Sequence, residues 1–293
     1  MSAVAAPVTG MGTGVSAVRK MKDRAFTAAL WICGGLAMLP LLFIAGYVIA
    51  RGIKAINLHF FLQTPGIPGQ PGGGISEAFI GTAIIVGIMA LIAVPLGILT
   101  AVYLSEYGRG WFASTVRFVA EILLSTPSIV AGAFIWAVVV VRLGSFSGFA
   151  AALALCVLVW PIITRATEEV LRLVSQELRE GALALGLPRW KVILRIVIPT
   201  AAAGIFTAVM LALARGLGET APVLLTALGN SFVSFNPGGP MDSLSLRVYS
   251  DAQSSYPLDQ VHAWAGAFCL LIIVLGLSIG ARIISARQLR RTR

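Results

Sequence analysis

Charge is scarce in this sequence. Asp, Glu, Lys and Arg make up 12% of its 293 residues, about half the share usual in a soluble domain. Acidic groups are scarcer still, 12 against 22 basic ones, and there are two histidines and three cysteines. Each shortage excludes something. Cys33, Cys156 and Cys269 all lie in apolar runs, so they form neither a disulfide framework nor a metal-ligand spacing and read as small buried hydrophobes. No Ser/His/Asp, Cys/His or paired-metal constellation appears, and His59 and His262 sit at the outer boundaries of the apolar segments, which argues against a membrane-embedded hydrolase. None of Lys20, Lys22, Lys54 and Lys191 follows a glycine, so the chain has no Walker A loop of its own.

What is abundant is apolar surface. Hydrophobic residues reach 58% and mean hydropathy is +0.91, more than a core of this size can hide. The expected class is an all-α integral membrane protein. Six segments are long enough to span a bilayer: roughly 25–50, 77–104, 112–141, 145–164, 200–228 and 262–284. Loops with turn chemistry separate them at GIPGQPGGG (66–74), EYGRG (106–110) and NPGGP (236–240). The first apolar run is too long for a signal-peptide core and reads as a retained span. Residues 1–24 then form a flexible cytoplasmic tail, 25–284 the membrane domain and 285–293 a basic cytoplasmic tail.

The basic residues set the expected orientation. Seventeen fall on one side of the six spans, four on the other (Arg51, Lys54, Arg142 and Arg247), and Arg215 lies inside a span, accounting for all 22. By the positive-inside rule the richer side, with both termini, is cytoplasmic. The net charge of +10 thus reads as topology and contact with anionic lipid, not as nucleic-acid binding. Pro40, Pro95, Pro127, Pro161 and Pro222 interrupt spans, and Ser125, Thr126 and Ser128 around Pro127 predict a kinked, closely packed helix, with a direct substrate contact as the alternative.

Residues 165–199 carry the most information. Val170, Leu173, Val174, Leu178, Leu183 and Leu185 recur at helical spacing, Gly186-Leu187-Pro188 interrupts them, and a short helix through Trp190–Val197 ends at Pro199. Two amphipathic helices meeting at a glycine turn read as a docking surface, with helices lying on the lipid interface as the alternative, since a mere connector needs only a few residues.

The spacing Glu180-Gly181-Ala182, then Gly186, then Ile196, Ile198 and Pro199 resembles the EAA loop of permease subunits of bacterial ABC importers. It departs from that pattern by Gly181 for alanine and Ile198 for leucine. With GGGISEAFIGT (72–82) and ARGLGETAPVLLTA (214–227), the chain resembles the PstA type within the phosphate-specific branch. The resemblance implies a type I ABC importer permease in the bacterial plasma (inner) membrane, six spans and a cytoplasmic coupling helix. It implies a PstC-like sister permease in a heterodimer, two PstB-like ATPase subunits and an extracytoplasmic PstS-like phosphate-binding protein. No cofactor is expected on this chain, and ATP is used by the partner. Glu180, Gly181, Ala182, Gly186 and Pro199 would belong to the coupling surface, with Glu180 capping or pairing either with Arg179 or Arg189 or with the ATPase. A sulfate or molybdate importer is the neighbouring alternative. An ion-gradient transporter is the alternative of another class, though no inverted repeat is evident.

Arg215 and Glu219 pose the remaining question. Sixteen residues separate Arg215 from Pro199, about 24 Å of helix, which places a guanidinium deep in a core about 30 Å thick. At i and i+4 the two share one face of a helix. Two readings stand: a charge pair tying the span to its neighbours, or, with Thr220, a cationic lining for an oxyanion path. The same spacing in Arg117 and Glu121 reads as structural, with Arg117 close enough to the interface to snorkel. Glu77, His59 and His262 read as solvated at outer boundaries, and the outer loop 229–261 as a contact for a binding protein.

Overall fold

The computed structural model describes residues 17–291, with side chains over 18–287. Residues 1–16 of the expected N-terminal tail, and the last two of the C-terminal one, lie outside the described residues. The chain divides into two compact units, 1–47 and 48–293. The first holds most of α1 (Ala17–Gly52), a helix that keeps Pro40 inside it and leaves large side chains such as Trp31, Leu39 and Phe43 uncovered. Such a surface suits a lipid solvent.

In the second unit a short 3-10 turn and α2 (Leu58–Leu62) precede α3 (Ser76–Val102), which runs into a π turn at Tyr103–Tyr107. Next come α4 (Gly110–Ser125), α5 (Ser128–Ile135), a π turn at Trp136–Val140 and α6 (Val141–Leu143). The long α7 (Gly148–Arg172) is followed by α8 (Gln176–Ala184), α9 (Arg189–Val192), a π turn at Ile193–Val197 and α10 (Ile198–Leu217). The chain ends with α11 (Ala221–Ala227), α12 (Leu244–Ala252) and α13 (Pro257–Arg291). Among the described residues the only β pairing is an isolated bridge between Leu228 and Met241.

Among the described residues five helices are long and apolar enough to cross a membrane, six when α4 and the α5–α6 segment, bent by 107°, count as one crossing. The kink expected at Pro127 within the span 112–141 is thus a full break, with two helices meeting at a sharp bend. Thr126, held extended ahead of Pro127, makes the break. The expected span 200–228 is likewise two helices, with 218–220 unwound between them. The short helix expected at 190–197 instead runs through its π turn into α10, giving one continuous helix from Arg189 to Leu217. Helix extends into both expected tails, from Ala17 and as far as Arg291, because polar residues leaving a span still satisfy their backbone groups within the helix.

Close contacts fix the helix directions. Gly97 of α3 lies beside Ile163 of α7, and Gly148 of α7 beside Ile85 of α3, so these two run parallel. Gly204 and Gly216 of α10 meet Val170 and Val159 of α7, an antiparallel pair. Alternate crossings require this pattern. It gathers residues 103–109 and 172–189 at one end, with 62–76, 144–148 and 229–256 at the other. Ile85, Met89 and Ala93 pack on Ala151, Ala152, Leu155, Val159 and Ile163 at the centre. Lipid offers no hydrophobic drive between helices, so small residues there gain stability by letting backbones approach. A Cβ on Gly97 would stand 2.7 Å from Ile163 Cγ2.

Candidate functional site

The site begins where α10 stops. The Gly218 N–H donates to the Arg215 carbonyl at 3.1 Å and the Glu219 N–H to Gly216 at 3.2 Å, closing the last turn. Pro222 then stands in the first turn of α11, where its missing N–H costs nothing. Gly216 settles the depth: a Cβ there would meet Val159 and Met89, near the middles of α7 and α3. Arg215 thus lies halfway along the bundle at an unwound segment, where irregular backbone is tolerated only against protein or a water-filled cavity. The second break approaches it, since Gly132 of α5 has room for no side chain against Pro222.

Arg215 is 65% exposed and Glu219 21%. Arg215 Nε and Glu219 Oε1 are 3.9 Å apart, outside hydrogen-bond range. The single shared face expected for the pair is modified, because Glu219 belongs to the break and not to the helix. Its carbonyl accepts from Ser245 Oγ at 3.1 Å, which anchors the break to α12. Thr220 is half-buried, and its carbonyl accepts from the Leu224 N–H at 2.9 Å. Leu211, Arg215 and Gly218 are the exposed positions along this stripe, between buried Ala212, Ala214 and Gly216. Among the described residues Arg215 makes no hydrogen bond or ion pair with a neighbouring span.

At the other feature, the α8–α9 elbow, α8 ends in a Schellman motif. The Gly186 N–H donates to Leu183 (2.9 Å), and the Leu187 N–H to Ala182 (3.3 Å). Gly186 has φ +80, the left-handed conformation a side chain disfavours. Ala182 is buried against Leu171, Val174 and Leu187, which seats the elbow on the end of α7. Gly181 faces open space, so the alanine of the family pattern would fit there as well. Glu180 is exposed and pairs with neither Arg179 nor Arg189; both turn instead to Glu106. Pro199 is exposed in the first turn of α10.

Sequence reasoning missed the charge network beneath the elbow. Glu168, 1% exposed, accepts from Arg117 (2.8 Å), Arg165 (3.2 Å) and Arg172 (2.6 Å). Arg117 also holds the Leu104 carbonyl at 2.7 Å. The expected Arg117–Glu121 pair does not form; Glu121 takes Arg165 at 3.2 Å. Glu106 accepts from Arg179 at 2.9 Å, and Arg179 also donates to the Leu171 carbonyl at 2.8 Å and to that of Val174. The spacing of Arg165, Glu168 and Arg172 on one helix face was the available signal.

The opposite end corrects further expectations. Glu77 is 3% exposed, and neither of its carboxylate oxygens finds a hydrogen-bond partner among the described residues. The segment before α12 covers it, with the Asp242 backbone against Gly81 and the Leu244 N–H donating to Thr82 Oγ1 at 2.7 Å. His59 is exposed as expected, while His262 is half-buried beside Phe60. Arg247 pairs internally with Asp251 at 3.1 Å, so both face inward. Burial pushes the Asp242 carboxyl up to about 6, against the pull of the Ser243 N–H and Arg247. Burial raises Asp251 too, with Arg247 opposing. Cys156 and Cys269 are buried, whereas Cys33 is exposed on α1.

A bent-span helical bundle with a mid-depth break and a helical elbow at one end is the architecture of an importer's membrane subunit. Residues 93–293 match the family described as binding-protein-dependent transport system inner membrane component, and the chain belongs to it. Solved structures agree on the fold. A bacterial ABC transporter involved in the import of the acidic polysaccharide alginate superposes with a TM-score of 0.60 over 92% of this chain and 98% of that one, at 16% identity. The inward-facing MetNI methionine ABC transporter gives 0.57 over 73% and 93%, at 22% identity.

Curated relatives narrow the class. The phosphate transport system permease protein PstA of Pasteurella multocida is 42% identical, covering 90% of this chain and 95% of its own. That of Xylella fastidiosa (strain Temecula1) is 45% identical over 82% and 84%, and PstA 1 of Mycobacterium tuberculosis (H37Rv) 38% over 94% and 91%. At these levels the chain falls in the PstA family, whose members are transport subunits and not enzymes.

Proposed function

We propose that the chain is the permease subunit of an ATP-driven phosphate importer. It forms half of the translocation path beside a PstC-like sister permease. Two PstB-like ATPases work it from the cytosol, and a PstS-like protein delivers phosphate from outside. The basic end, with Arg109, Arg117, Arg165, Arg172, Arg179 and Arg189, faces the cytosol together with both termini. Residues 1–24 and 285–293 flank the membrane domain as cytoplasmic segments.

The observation that supports this reading is the uncovered Arg215 guanidinium at mid-depth, held only at 3.9 Å from Glu219. A guanidinium with no hydrogen bond or ion pair to a neighbouring span does not tie its span in place through its charge, which weighs against the purely structural reading. A charge at that depth needs water or a partner chain, and a guanidinium fork matches phosphate oxygens. Glu219 tempers the site so that the anion is released, as conduction requires. Thr220 adds a hydroxyl at the break. At the cytosolic end Glu180, Gly181, Ala182, Gly186 and Pro199 present the elbow to an ATPase cleft.

The test is phosphate uptake by the reconstituted complex. Arg215→Gln should lose about 100-fold or more, as removal of a charged hydrogen-bonding group from an anion site does, while assembly and ATP hydrolysis persist. Uptake within threefold of wild type would remove Arg215 from the path. Competition by arsenate but not molybdate is expected.

A further inference from the structure

We propose a second anion site, for a phosphate-type tetrahedral oxyanion, in the cavity between the start of α4 and the α8–α9 elbow. The cavity holds about 220 Å³ and is lined by Glu106, Arg109, Arg172, Gln176, Arg179 and Arg189 among others. Four guanidinium groups thus surround one carboxylate. Glu106 is engaged by Arg179, and Arg172 is held by Glu168 at 2.6 Å. Arg189 reaches only the Glu106 backbone carbonyl and the face of Tyr107, and Arg109 makes no hydrogen bond or ion pair among the described residues. Two positive charges therefore stand without a carboxylate.

Two further observations point to a missing acceptor. Arg179 Nε is buried and has no hydrogen-bond partner, a costly state for a charged donor. Arg109 itself occupies the N-cap of the sixteen-residue α4, with no side-chain cap and no acidic residue in the first turn. The positive end of a helix thus opens beside the same cavity. A compact anion with several oxygens meets all three demands, whereas a single carboxylate would leave donors unmatched. An occupant here would clamp the elbow to α4. The inference goes beyond the transport reading and uses none of its pathway residues. Two sources share this chemistry, free phosphate and the headgroup of an anionic phospholipid.

The test uses the assembled complex without its external binding protein. Wild type, Arg109→Gln, Arg109→Lys and Arg215→Gln are dialysed to equilibrium against radiolabelled inorganic phosphate. The same proteins in nanodiscs of phosphatidylcholine and phosphatidylglycerol are assayed for retained phosphatidylglycerol by mass spectrometry. Arg109 has no hydrogen-bond or ion-pair partner among the described residues, so its variants should fold. For free phosphate, Arg109→Gln weakens binding about tenfold or more, from one lost charge-assisted hydrogen bond. Arg109→Lys recovers part of it, and Arg215→Gln leaves this component intact. For lipid, Arg109→Gln instead lowers retained phosphatidylglycerol with no change in phosphate binding. The site is overturned if neither anion responds to Arg109→Gln, including the case in which only ATPase assembly is lost because an acidic protein side chain fills the cavity. Because Arg215→Gln tests the transport path separately, failure of one reading is distinguishable from failure of the other.

Discussion

Glu168 shows what a single buried carboxylate does here. It bridges three arginines arriving from α4 and α7, and at 1% exposure it has no water to replace them. Glu168→Gln leaves those guanidinium groups facing one another. The expected result is a loss of about 3 kcal/mol, at the lower end of the range because Arg172 is more than half exposed, measured as a fall in the melting temperature of the purified complex. Asp242 gives a pH signature. Its folded value, about 6, lies above the ordinary 3.8, so its contribution is fully present below pH 4 and declines as pH rises through 6. Relative to Asp242→Asn, the wild type should lose stability across that window, read from melting temperatures at stepped pH. Residues are legible in the sequence when their meaning is local. Gly186 and Arg215 stood out because a glycine turn and a charge in an apolar run need no partner to be noticed. Glu168 and Glu106 did not, since their partners Arg117 and Arg179 lie 51 and 73 positions away.

The elements carry the moving parts. The elbow is a helix end closed by two backbone hydrogen bonds, seated by Ala182, with Gly186 projecting into open space. Aspartate at 186 tolerates the left-handed backbone better than most residues, at about 1–2 kcal/mol, but places a charged side chain on the proposed docking surface. Gly186→Asp should therefore insert at wild-type levels in membrane fractions while ATP-driven uptake falls about tenfold or more, a change of at least ~1.4 kcal/mol in coupling. Uptake unchanged in a fully inserted variant would deny the elbow its role. Hydropathy located each crossing, because length and apolar content are local properties. It did not show bends, and the prolines explain why. Pro40, Pro95 and Pro161 remain inside helices, whereas Thr126 before Pro127 turns extended and Pro222 opens a new helix. Which outcome follows depends on neighbouring helices supplying partners for the freed backbone groups.

At the scale of the whole molecule, the parallel α3 and α7 and the antiparallel α10 place the two breaks at mid-depth and the elbow at one end, about one helix length apart. Under the proposed function, that arrangement separates the anion's route from the place where force enters. The same alternation of crossings was predictable from the basic residues, but the covering of Glu77 by the segment before α12 was not, because nothing local says which loop folds over a helix end. The central claim is that this chain is a gate without an engine. It is tested most directly by radiolabelled phosphate uptake into proteoliposomes holding the full complex and the binding protein, with ATP, with a non-hydrolysable analogue, or with this chain alone. The account predicts uptake against a gradient with ATP only. Uptake by the isolated chain, or by the complex without hydrolysis, would contradict it.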